Sequence, residues 1–209
     1  MGKLVRPAGD KTGKKMKINI RSFLAIDIDE PLRELLETIQ KSFRQKLTTS
    51  LRWVEIGNIH LTIKFIGDMD VTHLKSIESD LREEISTIPS FQLRPIKIDS
   101  FPNRRDPRVI WLGINQPAEL TQIAEIAERV YCVHGYPPEK RNFAPHLTMA
   151  RNRKSLPKEG VAILNQAIDE YTWDDHIEIT ASRIKLYESK LTPSGPKYSE
   201  LLNISLRNE

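Results

Sequence analysis

The chain carries one cysteine, Cys132, among its 209 residues. That scarcity excludes an internal disulfide and a thiolate metal cluster. In AERVYCVHG, Cys132 lies beside Val130 and Val133 and reads as a core thiol. A protein without a redox staple is expected in the cytoplasm. No stretch approaches the roughly 20 apolar residues of a membrane-spanning helix. The N-terminus, MGKLVRPAGDKTGKKMKINI, lacks the hydrophobic core of a secretory signal. Residues 1–16 are expected to form a disordered basic tail, and residues 17–209 a single domain acting as a monomer. Histidine is also scarce, at five residues. His73, His134 and His176 share no spacing with the other two, so a zinc site would lack its third and fourth ligands. They are expected at the surface. No metal and no cofactor is expected.

Apolar residues make up 39% of the chain and charged residues 29%, in the range of folded soluble domains. The net charge of +4 suits a polyanionic partner without requiring one. Its placement says more. FPNRRDPR (101–108), EKRNF (139–143) and ARNRK (150–154) are basic stretches outside the helical patterns.

Apolar spacing predicts amphipathic helices after Pro31, over 72–88, after Pro117 up to Gly135, and over 160–171. Strands are expected over 21–28, 51–56, 59–68, 91–98, 108–114, 141–151, 176–191 and 198–206. Helices mixed with short alternating runs and tight turns indicate an α+β fold with antiparallel sheets. Each half of the chain runs through a similar order, which suggests a duplicated, two-lobed architecture.

Two tetrapeptides nearly repeat: HLTI at 60–63 and HLTM at 146–149. On a strand, alternate side chains share a face. His60, Thr62 and Lys64 would point one way, and Leu61, Ile63 and Phe65 the other. His146 and Thr148 would likewise oppose Leu147 and Met149. An imidazole exchanges protons near neutrality, and a threonine hydroxyl can donate to a phosphoryl oxygen. One such pair is usually only the polar face of a strand. Two pairs aimed at one cleft would supply an acid, a base and two anion donors, enough for in-line phosphoryl transfer without a metal.

These motifs resemble the paired His-x-Thr/Ser-x signatures of the two-histidine phosphoesterase superfamily. RSFLAIDI, NIHLTIKFIGD, FPNRRDPRVIWLGI, NFAPHLTMAR and LYESKLTPSGPKYSEL together resemble, in colinear order over about residues 18–206, the RNA 2′,3′-cyclic phosphodiesterases, also called 2′-5′ RNA ligases. The resemblance implies a bilobal antiparallel α+β fold, with flanking helices and a central cleft holding both motifs. It implies hydrolysis of RNA 2′,3′-cyclic ends to 2′-phosphates, with His60 as proton donor and His146 as acceptor. Thr62, Thr148 and Arg151 match phosphate-binding positions. Expected partners are RNA with cyclic phosphate ends, such as tRNA halves, or cyclic-phosphate nucleotides. The same acid and base would serve 2′-5′ ligation in reverse. The alternative is a non-catalytic module that binds RNA ends or nucleotides on the same scaffold.

Other residues follow from the pattern alone. Counting by two from His146 puts Arg151 on the opposite face, so it reaches a phosphate only if the strand ends or twists there. Phe143 could stack a terminal base. Arg105, with Arg104 and Arg108, could steer phosphates. Tyr198 is a candidate rim contact. Trp111 reads as core.

Overall fold

The alternating and helical patterns above become ten strands and four helices in a computed structural model of the chain, which describes residues 18–47, 51–152, 154–193 and 195–208. The proposed N-terminal tail lies outside these residues. In chain order the elements are β1 (Asn19–Asp27), α1 (Leu32–Lys46), β2 (Arg52–Trp53), β3 (His60–Asp70), α2 (Leu74–Ile85), β4 (Phe91–Leu93), β5 (Pro95–Phe101), β6 (Val109–Ile114), α3 (Ala118–Val133), β7 (His146–Arg151), α4 (Lys158–Glu170), β8 (Ile179–Ala181), β9 (Arg183–Thr192) and β10 (Gly195–Ser205).

Seven strands run in the order β10-β9-β1-β3-β7-β6-β5, all antiparallel, with β2 added beside β7. β4 and β8 form a separate two-stranded ribbon. The expected pair of sheets is therefore one continuous sheet with a seam. At the seam, β3 meets β7 through a single register pair, Leu61 with Leu147. Both leucines are buried, at 1% and 0% exposure.

The order also reveals a pseudo-two-fold relation. The series β1-α1-β3-α2-β4-β5 is matched by β6-α3-β7-α4-β8-β9, and β2 and β10 are extra. Each series gives its last strand to the other side of the seam: β5 pairs with β6, and β9 with β1. The helices cross over too. α3 packs on β3 and α2, while α1 packs on α4. Gln40 of α1 donates from Nε2 to the carbonyl of Met149 in β7, at 3.2 Å.

Several expected boundaries differ, each for a local reason. The run 91–98 breaks at Arg94, and 176–191 breaks at Ser182. In both, the first piece joins the ribbon and the second joins the sheet. The 51–56 strand ends at Trp53, because Ile56–Asn58 coil into a 3₁₀ turn. Cys132 is exposed rather than a core thiol. The buried stripe of α3 is Leu120, Ile123, Ile126, Ala127, Val130 and Tyr131, which turns Cys132 outward. His176 is exposed. His73 and His134 are partly buried, bonded to the Tyr136 hydroxyl and the Asp80 carboxylate. No described helix is long and apolar enough to cross a membrane.

Candidate active site

The two tetrapeptides begin the two strands that meet at the seam. Leu61 and Leu147 face the core. Antiparallel running from that pair sets His60 alongside Thr148 and Thr62 alongside His146, all four on the opposite face. All four side chains are partly exposed.

Simple alternation fails just beyond each threonine. Thr62 pairs with Ala25, but Lys64 pairs with Leu24, so Ile63 is an extra residue. Likewise Thr148 pairs with Trp111, but Ala150 pairs with Ile110, so Met149 is extra. Each is a β-bulge, which reverses the facing of the residues just after it; in β3 a second irregularity at Ile66 reverses it again. Lys64 thus enters the core side, where its ammonium meets Glu128 of α3 at 2.6 Å. Phe65 emerges on the His60 face, 48% exposed. The expected placements of Lys64 and Phe65 are therefore exchanged. The same device brings Arg151, which pairs with Val109, onto the face of His146 and Thr148.

Both imidazoles are tied in the same way. His60 Nδ1 lies 3.0 Å from the Asn58 carbonyl, and His146 Nδ1 lies 2.7 Å from that of Ala144. A neutral ring must donate through Nδ1 to such a partner, so each Nε2 is left as the acceptor. Burial pushes His60 down to about 4, against the Asn58 carbonyl and the Asp27 charge, which raise it; the Arg151 guanidinium lowers it further. Burial also lowers His146, again with a contribution from Arg151, and among the described residues no carboxylate acts on it. Arg151 therefore sits where its charge reaches both rings.

Around His60 the face is aromatic. Phe23 stacks on its ring at 4.4 Å between centroids, and Tyr198 meets it edge-on at 5.2 Å. Asp27 lies directly across from His60. Its carboxylate accepts from the Tyr187 hydroxyl at 2.6 Å and pairs with Lys185 at 2.9 Å. Lys185 also holds Glu200 at 2.9 Å. Burial favours the neutral acid, but Tyr187, Lys185 and His60 together hold the Asp27 carboxyl below its ordinary value.

Around His146 the face opens into a groove of about 690 Å³. Phe101 and Trp111 stack at 4.8 Å, and Phe101 meets His146 edge-on at 5.1 Å. Gly113 leaves room for this packing, since a Cβ there would come within 2.9 Å of the Trp111 ring. Phe143 and Arg104 are also in the walls. Trp111 is 7% exposed, consistent with a core residue, yet it forms part of the groove.

Of the expected site residues, His60, His146, Thr62, Thr148, Arg151 and Tyr198 converge on one face, and Phe143 borders the groove. Arg105 does not converge: it is exposed on the β5–β6 loop, outside the groove walls. Its neighbour Arg104 takes that place, held by Asp99 and Asp169. Asp27, Phe23, Tyr187 and Phe101 escaped the sequence reading. Alternation in RSFLAID does put Phe23 and Asp27 on one face, but nothing local says which strand lies beside it. Among the described residues no cluster of three metal-ligating side chains occurs.

Comparison with known proteins defines the class. The family described as LigT-like phosphoesterase matches twice, over residues 26–111 and 112–198, and the chain belongs to that family. The matches restate the internal duplication, with their boundary inside β6. Among its relatives, the RNA 2′,3′-cyclic phosphodiesterase of Methanocaldococcus jannaschii is 36% identical over 184 residues, covering 86% of this chain and 96% of that one. The enzyme of the same name from Methanothermobacter thermautotrophicus is 31% identical, covering 88% and 97%. A Thermus thermophilus protein shares the fold, with a TM-score of 0.77 at 24% identity over 91% of this chain and all of that one. So does E. coli LigT complexed with 3′-AMP, with a TM-score of 0.67 at 24% identity over 91% and 99%.

Proposed function

We propose that the chain hydrolyses RNA 2′,3′-cyclic phosphodiester ends to 2′-phosphomonoesters by acid–base catalysis at His60 and His146. The observation that carries this reading is the mirrored arrangement at the seam. Each imidazole stands beside the other motif's threonine, and each has its Nδ1 tied back so that Nε2 serves the substrate. The names of the relatives supply the substrate class.

The phosphate lies in the cleft between the strands, receiving hydrogen bonds from Thr62 and Thr148 and the charge of Arg151. The terminal nucleoside occupies the groove beside His146, where Phe143 is placed to stack on its base. His146 Nε2 takes a proton from water as the water oxygen bonds to phosphorus. The bond from phosphorus to O3′ breaks, and His60 Nε2 delivers its proton to O3′. The two imidazoles have then exchanged protonation states, and solvent resets them.

The choice of His60 as donor has a physical support in Asp27. The motifs are nearly identical, but among the described residues it is His60 and not His146 that faces a carboxylate, and a neighbouring negative charge favours imidazolium. Burial outweighs that effect in the free protein. The anionic substrate adds a second negative charge in the same direction.

Replacing either histidine by alanine is expected to lower turnover by about 10²–10⁴-fold. Phosphorus NMR on a 2′,3′-cyclic nucleotide reads the test. The 2′-phosphate should accumulate with wild type and fail to accumulate with His60→Ala or His146→Ala. Folded mutants with wild-type rates would sink the reading. Tight binding of cyclic ends with no product over long incubation would instead favour an RNA-end binding module.

A further inference from the structure

β2 contains only two residues, yet it is firmly held. Val54, just after it, donates its N–H to the Met149 carbonyl at 2.9 Å. Gln40, 5% exposed, donates to the carbonyls of both Val54 and Met149. Trp53 pairs with Ala150, and the Arg44 guanidinium lies 5.3 Å over its ring. This stitching fixes the position of the residue before Trp53. That residue is Arg52, and its cross-strand partner is Arg151.

Directly opposed residues share a face of the sheet, and like charges so placed repel. Arg52 therefore stands on the His146 and Thr148 face, beside the guanidinium that acts on both histidines. Among the described residues, neither the Arg52 nor the Arg151 side chain has a carboxylate or hydrogen-bond partner. Arg82, Arg104, Arg108 and Arg129 are paired with Glu78, Asp99, Asp106 and Glu84, whereas Arg94, Arg105, Arg141, Arg183 and Arg207 share that lack of a partner; what sets Arg52 apart is its place opposite Arg151. Two arginines opposed across the strands and unneutralised, at the end of the proposed phosphate-binding face, suit more anionic charge than one phosphate brings.

We infer that Arg52 binds a second phosphate, the internucleotide phosphate on the 5′ side of the terminal ribose, so that the site favours an RNA chain over a mononucleotide. The inference rests on the phosphodiesterase reading above. Arg151 serves the cyclic phosphate between the histidines. Arg52 lies one strand away, about 4.8 Å in the plane of the sheet, on the edge where β3 has ended and β2 replaces it. A cyclic mononucleotide has no phosphate to offer there. An oligonucleotide does.

The test compares Arg52→Gln with wild type on a 2′,3′-cyclic mononucleotide and on a short oligoribonucleotide ending in the same cyclic nucleotide. Arg52 is exposed, and equal melting temperatures would show that the fold is kept. The kcat/KM for the mononucleotide should stay unchanged. That for the oligonucleotide should fall roughly tenfold, the loss expected for one charge-assisted hydrogen bond. The slope of log kcat/KM against log salt should flatten by about 0.7, one single-strand phosphate contact, for the oligonucleotide alone. Equal losses on both substrates, or no loss on either, would overturn the inference. Absence of turnover by wild type on both would instead defeat the phosphodiesterase reading. Calorimetric binding of the same two ligands ending in a 2′-phosphate would then decide Arg52 by the same contrast.

Discussion

His60 and His146 open nearly the same tetrapeptide and share a mode of backbone anchoring, so any division of labour must come from their neighbours. The free protein carries both rings below the ordinary value near 6.5. With His60 as donor and His146 as acceptor, the working state carries one proton, on His60. Below the lower of the two values both rings are protonated and the acceptor is lost. Above the higher value both are neutral and the donor is lost. The kcat/KM profile should therefore peak below pH 6.5, with its acid limb set by His60. Asp27→Asn removes the charge that raises His60, so the acid limb should move to lower pH while the alkaline limb stays. A purely structural Asp27 would lower the amplitude and leave both limbs in place. Rates on a cyclic mononucleotide, taken over the pH range in which circular dichroism shows a folded protein, distinguish the two.

At the scale of elements, the bulges matter most. One extra residue after each threonine exchanges the facing of Lys64 and Phe65 and brings Arg151 to the face of His146 and Thr148. Strand alternation made the His-x-Thr pairs legible, because two residues suffice to define a face. It failed just beyond them, because a bulge depends on how the partner strand pairs and leaves no local mark in HLTIKF or HLTMAR. The same limit hid Asp27, whose role depends on β1 lying beside β3. Helices were read well, since their period recurs within one segment. The bulge at Ile63 also creates a measurable element-level contact. Lys64 is 4% exposed in its side chain and Glu128 35%. Removing Glu128 leaves a buried ammonium without its partner, so Glu128→Ala should destabilise by about 1–3 kcal/mol. Lys64→Met replaces the buried charge with an apolar chain of similar length and should be nearly neutral. Urea unfolding of the two variants measures the contrast; equal costs would show that the pair itself, rather than the stranded charge, carries the energy.

For the whole molecule, the seam between β3 and β7 is both the junction with a single register pair and the location of the proposed phosphate site. A phosphate bound there touches both strands and so joins the two sides. Ligand that binds only the folded state stabilises it by about 2.7 kcal/mol at a hundredfold excess over Kd. For a chain of this length that raises Tm by roughly 5–10 °C. Inorganic phosphate should produce this shift in wild type. A Thr62→Ala, Thr148→Ala double variant should lose most of it at the same concentration. An undiminished shift would place the bound anion elsewhere.

The crossed arrangement of strands and helices has a consequence for how the chain acquires its structure at the ribosome. β1 needs β9, and β6 needs β7, before their edges are paired. β3 is covered by α3, which is made later, and α1 waits for α4. An emerging N-terminal half therefore exposes unpaired edges and apolar faces with nothing of its own to cover them. Native structure must form late and nearly all at once, after Arg183–Thr192 has been synthesised. Translation truncated before β9 should leave a product open to proteases along its whole length, without a protected N-terminal core.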